Sequence, residues 1–358
     1  MNMIFLAALV FLPTIFAETL RGKEEESRSL LPGPVAWPGG AVTYTNAAAF
    51  TPNFSGIKYV PGNQFMNDVI WGVDNDSVIW KLKWNIQNWG GWIADPAWGI
   101  NGRPLNVAYD SEGITFGSST KYGYFSTERI GAGVSRLSIL RFSTLNPAAP
   151  GAVLTPTNEW VLTALLPVAD SNKGLEGLTF IPDYYLQANG FRTNANVLYN
   201  PASYPNRVES GIFFAGLEEN GNIYGFVLNN GNTASLISSF SSGETRITDL
   251  DFDPNTGYLW TSCDNQCAGR HRVFTITNGV FTVKEIFNPP TAAMAALNIE
   301  GFTIEPESRC DIITNRKYAY WSNDDNGQLI RAEIKCDEEA RLGIFPEPVV
   351  CSTPYNFL

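Results

Sequence analysis

Acidic residues carry most of the potential chemistry in this chain. Glu112, Glu176 and Glu300 each stand directly before a glycine. Asp74, Glu128, Glu218, Asp264 and Asp324 each close a short run of apolar residues. Carboxylates gathered in one place repel and raise one another's pKa unless something offsets them. A hard cation is one offset, since Ca²⁺ takes six to eight oxygen ligands and needs neither His nor Cys. Internal pairing with Arg129, Lys173 and Arg246, which neighbour the acidic positions, is the other. Histidine chemistry is nearly excluded. His271 is the single histidine, so no multi-histidine metal site exists, and it reads either as a solvated loop residue or as a general base.

The acidic positions recur because the elements that carry them recur. Five segments share one pattern: 55–59, 112–116, 176–180, 248–252 and 300–304, with Ser55 and Thr248 standing where the other three have Glu. Each leads through a turn-rich stretch to a second strand that ends in acid: 69–74, 122–128, 212–218, 258–264 and 318–324. A polar turn and a third strand follow, and several units add a fourth, at 160–166, 234–240 and 280–286. Three or four strands per unit, repeated at roughly 50–75 residues, is the pattern of propeller blades. A long β-sandwich also has many short strands, but it does not call for a common Glu-Gly start and acidic finish. The expectation is an all-β fold, a β-propeller with five repeats: five blades, or six if a degenerate unit is hidden. Residues 41–46 are placed to add the last unit's fourth strand and close the ring. Residues 181–209 read as a long surface loop inserted in the third unit.

In a meander blade the first strand lines the channel and the second runs antiparallel to it. The start of strand one and the end of strand two therefore share a face. That brings eight carboxylates to one mouth of the ring, with Ser55 and Thr248 completing the inner circle. Either they hydrogen-bond neighbouring blades or they hold a metal or polar ligand.

Composition fits a folded, exported protein. The 358 residues are 44% hydrophobic and only 16% charged, enough apolar material for a core. Lys and Arg total 24 against 35 for Asp and Glu, a net charge of −11, so no nucleic-acid partner is expected. Residues 1–17 read as a signal peptide, 18–40 as a flexible leader, 41–343 as the propeller and 344–358 as a Pro-rich tail. No later run is long enough to span a membrane. The expected location is extracellular, where Asn53 and Asn75 become candidate glycosylation sites and cysteines pair.

Strand order predicts the pairing. Cys310 follows the first strand of the fifth unit and Cys336 follows its third, both on the face opposite the acidic mouth, so they should bridge. Cys263 and Cys267 are the second, local pair, leaving Cys351 over; the rival arrangement is Cys336–Cys351. Zinc at Cys263 and Cys267 lacks a second matching pair. Trp84, Trp89, Trp92 and Trp98 either stack a sugar or pack under the first unit.

At these motifs the chain resembles the esterase-like phytase family and the SdiA-regulated type of β-propeller. The resemblance rests on Asp110–Thr115, Ser126–Arg129, Asn172–Leu178, Ile247–Leu250, Asp253–Leu259, Asn298–Gly301 and Ser322–Asn326, across residues 52–336. It implies a secreted propeller, often with bound calcium, and phosphoester or ester hydrolysis. Carried over residue by residue, it nominates Glu112, Glu176, Asp249, Glu300 and Asp324 for metal, and Glu128, Glu218 and Asp264 for catalysis. Arg129 and Lys173, with Arg246 beside them, would hold substrate phosphate. The partner is expected to be a small-molecule or extracellular ligand at the acidic mouth.

Overall fold

Apolar residues at period two, broken by Gly, Asn and Asp at the turns, build short antiparallel strands. The structure, a computed structural model, describes residues 33–44, 52–63, 67–85, 91–131, 133–145 and 149–337. The segment expected to be a signal peptide, most of the expected leader, Trp89, Cys351 and the expected tail lie outside the described residues.

Five sheets form a five-bladed β-propeller. Blade 1 runs from the channel outward as β2 (Phe54–Val60), β3 (Val69–Asp74), β4 (Val78–Trp84) and β5 (Trp92–Ala94), with β6 (Arg103–Pro104) also on β4. Blade 2 is β7 (Tyr109–Phe116), β8 (Tyr122–Ile130), β9 (Val134–Ser143) and β10 (Asn158–Val161). Blade 3 is β11 (Leu175–Pro182), β12 (Gly211–Leu217), β13 (Asn222–Asn229) and β14 (Thr233–Ser241). Blade 4 is β15 (Asp249–Asp253), β16 (Tyr258–Ser262), β17 (His271–Thr277) and β18 (Val280–Phe287). Blade 5 is β19 (Ile299–Ile304), β20 (Arg316–Asn323), β21 (Gln328–Lys335) and, outermost, β1 (Val42–Tyr44). Val42 pairs with Ala332 and Tyr44 with Ile330, so the N-terminal strand closes the ring as expected.

A hydrophobic layer fills each gap between blades. Phe54, Ile57 and Trp80 of blade 1 meet Tyr320 and Leu329 of blade 5; Tyr124 and Trp160 of blade 2 meet Phe213 and Phe226 of blade 3. Trp321, fully buried, sits in the blade 4–5 layer with Trp260 and Phe302. One blade could not cover its own faces, so the ring is the folding unit.

Two sequence expectations need correction. The insertion in blade 3 is not a loop on the surface throughout. It begins with a short helix, Asp183–Ala188, and Leu186, Phe191 and Tyr199 are buried in the blade 3–4 layer. The leader does not stay free to residue 40 either. Val35 exchanges backbone hydrogen bonds with Ile286 and Asn288 at the end of β18, and Trp37 is buried against Trp260, His271, Phe287 and Trp321.

At the centre the inner strands β2, β7, β11, β15 and β19 contact one another in cyclic order. Gly56, Gly113, Gly177 and Gly301 make that approach possible. A Cβ on Gly56 would strike the Glu112 carbonyl, one on Gly113 the Glu176 carbonyl and one on Gly177 the backbone of Asp249. The glycine after each Glu is thus a steric requirement of the ring. The fifth position of this column is Asp249, whose carboxylate accepts the N–H groups of Leu250 and Phe302, each at 2.7 Å. Asp251, two residues on, accepts from Ile304 N–H at 2.8 Å and Thr303 Oγ1 at 2.7 Å, and pairs with Lys58. An inner strand has no sheet partner on its channel side, and these aspartates satisfy the donors of β19 there.

Candidate functional site

The acidic mouth forms as the strand directions require. Bulges in β7, β8 and β11 set the acids around the rim. Glu128 is the hub. One set of carboxylate oxygens, from Asp110, Glu112 and Glu128, lies within 4.8 Å of one another, and so does a second from Glu128, Glu176 and Glu218. Ser55 donates to Glu112 Oε2 at 2.5 Å, and Gly174 N–H to Glu128 Oε1 at 2.8 Å. On the blade 5 side, Asn298 Nδ2 reaches Glu300 Oε1 at 3.0 Å and Asp324 Oδ2 at 3.2 Å. The other oxygens, Glu300 Oε2 and Asp324 Oδ1, are buried without a hydrogen-bond partner. Thr248 Oγ1 is buried without one as well.

Electrostatics follow from that crowding. Burial, then Glu300, Glu128 and Asp110 as like-charged neighbours, pushes the Glu112 carboxyl well above its ordinary range. Burial and the charges of Glu112 and Glu128 do the same to Glu176, and burial with Asp324 does so to Glu300. Burial also raises Asp110, Glu128 and Asp324. Glu218 is pushed up to about 7 by burial, against the pull of Arg246. Groups shifted this way keep their protons to higher pH than an ordinary carboxyl unless a cation replaces them.

The nominated residues divide clearly. Glu112, Glu128, Glu176 and Glu218 fall in the two clusters, while Glu300 and Asp324 form a separate pair whose charge bears on the nearer acids. Asp264 stands near enough to Glu218 to bear on its charge, while its Oδ1 accepts Gln266 N–H at 2.8 Å. Asp249 does not join them: its oxygens already hold backbone donors of β15 and β19, so its nomination as a metal ligand is corrected to a structural one. Asp74 also turns away, accepting Val78 N–H at 2.8 Å and Trp80 Nε1 at 2.9 Å. Asp110 was not among the nominated residues. The signal was there, since positions 110 and 112 are two apart and a strand puts such residues on one face.

The three cations are all engaged. Arg129 pairs with Asp110, lies 3.9 Å from Glu128 and also donates to Ser171 O at 3.2 Å. Arg246 pairs with Glu218. Lys173 turns to Asp170 at 3.4 Å and Glu219 at 3.7 Å, outside the carboxylate clusters.

One other expectation changes. His271 is buried, not solvated; its Nε2 accepts Trp321 Nε1 at 3.1 Å, and burial pushes its pKa down to about 3. A neutral imidazole sealed among aromatic rings has no access to a substrate at the mouth. The tryptophans pack: Trp98 meets Trp71 at 4.8 Å and carries the Arg103 guanidinium at 3.9 Å, and Trp84 meets Trp92 at 5.7 Å. Cys310 pairs with Cys336 and Cys263 with Cys267, with Cα atoms 5.9 Å apart in each pair, as strand order predicts. Asn53 is exposed, whereas Asn75 is half-buried with its Oδ1 inside. Among the described residues no helix is long and apolar enough to cross a membrane.

Fold and site together define a five-bladed β-propeller with a carboxylate-lined mouth. No family model and no curated protein matches the chain. Solved structures with a similar outline include a presumed oxidoreductase (glucose dehydrogenase) of Thermus thermophilus, at 11% identity over 82% of this chain and 99% of that one, TM-score 0.40. A presumed 6-phosphogluconolactonase of Bacteroides uniformis matches at 15% identity over 84% and 93%, TM-score 0.39. A nidogen/laminin complex chain matches at 11% over 76% and 73%, TM-score 0.36. At such scores these likenesses carry no inference about activity.

Proposed function

We propose that this chain is a secreted β-propeller whose acidic mouth binds Ca²⁺ and serves a phosphoester or ester hydrolase of the esterase-like phytase type. The observation that carries the metal is the pair Glu300 and Asp324: they stand close enough to share a proton, and no other residue donates to the buried Glu300 Oε2 and Asp324 Oδ1. The donor set is all oxygen, as a hard cation requires. Glu112, Glu128, Glu176, Glu300 and Asp324 would hold the ion, and with Asp249 withdrawn Asp110 takes its place in the set. Ca²⁺ there would polarise a phosphoryl or ester oxygen. Glu218, whose carboxyl titrates at about 7, is placed to accept or return a proton at neutral pH, with Arg246 holding it in position. Glu128 and Asp264 flank it.

A second reading has its own observation. Arg129 and Arg246 are already ion-paired, and Lys173 faces Glu219, which disfavours phosphate. On that reading the propeller binds an extracellular ligand and calcium is structural. Calorimetry with Ca²⁺ on chelator-treated protein, followed by p-nitrophenyl phosphate turnover with and without the ion, separates the two. Calcium binding with turnover supports the hydrolase, calcium binding alone supports the binding module, and no calcium binding overturns both.

A further inference from the structure

A cavity of about 210 Å³ opens between blades 4 and 5, at the end of the ring that carries the Cys310–Cys336 bridge. It owes nothing to the acidic mouth. Trp260, Val273, Phe287, Ile304 and Ile334 give it apolar and aromatic walls. Glu307 lines it and is only 6% exposed. Its Oε2 lies 3.0 Å from Lys317 Nζ, but Lys317 is shared with Asp253 Oδ2, also at 3.0 Å. One buried ammonium thus serves two buried carboxylates, leaving one negative charge over. Glu307 Oε1 is buried and accepts no hydrogen bond. At the rim Lys284 donates to the Tyr258 hydroxyl, which in turn donates to Asp337 at 2.8 Å, so those two charges offset each other.

A buried, unpaired carboxylate oxygen is costly, and a structure that keeps one beside an open cavity leaves room for its partner. A hard metal ion is a poor candidate, because the Lys317 ammonium already stands 3.0 Å from both Asp253 and Glu307 and would repel it. An anion would meet the excess negative charge. From this we infer that the cavity binds a small organic cation, an ammonium group on an aromatic or branched apolar body. The ammonium would donate to Glu307 Oε1, and the apolar body would lie against Trp260 and Phe287. Drug-sized ligands, which need roughly 300–1,000 Å³, would not fit.

The test is isothermal calorimetry on the disulfide-intact protein with two probes of opposite charge and similar body, phenethylammonium and phenylacetate. Saturable binding of the ammonium and none of the carboxylate is expected. Glu307→Gln should weaken the ammonium about tenfold, the loss of one charge-assisted hydrogen bond. Lys284 is exposed, so Lys284→Met should fold regardless, and removing its positive charge should strengthen ammonium binding. No saturable ammonium binding, equal binding of phenylacetate, or weaker ammonium binding by Lys284→Met would each overturn the proposal.

Discussion

Asp249 accepts the Phe302 backbone N–H at 2.7 Å and so joins the inner strand of blade 4 to that of blade 5. The bond replaces a sheet partner that an inner strand lacks. Asp249→Ala would leave the N–H groups of Leu250 and Phe302 unsatisfied in the core. Denaturant unfolding should show a loss of about 2–4 kcal/mol, with Ca²⁺ affinity measured by calorimetry unchanged. A large loss of calcium affinity without a loss of stability would return Asp249 to the ligand set.

Glu300→Gln should act with opposite signs on two measurements. The amide gives Asp324 Oδ1 a donor and removes one of two buried like charges, so the calcium-free protein should gain about 1–2 kcal/mol at pH 8. Calcium affinity should fall by about tenfold or more, since a ligand carboxylate is lost. Unchanged calcium affinity would count against Glu300 as a ligand.

The calcium-free protein should lose stability as pH rises. The mouth carboxyls are raised in the folded state, Glu218 to about 7, so between the unfolded carboxyl range and the folded values the native state binds more protons. Stability is therefore fully present below the unfolded pKa, near 4.5, and declines as pH climbs through the folded values. A loss on the order of 1–3 kcal/mol from pH 5 to pH 8 is expected in thermal melts. Calcium bound at the mouth as proposed would favour the ionised form, so adding it should raise Tm more at pH 8 than at pH 5. A melting temperature that rises with pH in chelator would refute the crowding.

Cys310→Ser should lower stability by about 3–4 kcal/mol in the chain-entropy account of a 26-residue separation. Guanidinium unfolding under matched non-reducing conditions measures it. Non-reducing peptide mapping should recover Cys310 linked to Cys336 and Cys263 linked to Cys267.

The blade architecture was legible in the sequence because a ring imposes the same demands on every unit. Gly113, Gly177 and Gly301 follow a Glu for a steric reason that repeats, and the acidic residue ending each second strand repeats with it. Exceptions to the repeat were harder to read. Asp249 and Asp74 have the right type and place for the mouth, yet each serves a nearby backbone or indole N–H. Choosing between a hydrogen bond inward and a ligand outward requires side-chain direction, which spacing does not supply. His271 misled for a similar reason. It stands at the start of β17 beside a polar turn, and only the packing of Trp37, brought from far away in the chain, shows it to be enclosed.

The pairing of Tyr44 with Ile330 has a consequence for how the molecule is made. The first of the described strands to be synthesised has no partner until the last blade is complete, so the growing ring stays open with two unsatisfied edges. Non-local pairing of this kind is slow and exposes apolar surface while it waits. Folding would then be limited by ring closure, and a chain clipped ahead of β21 should fail to reach the native state even though four blades can form.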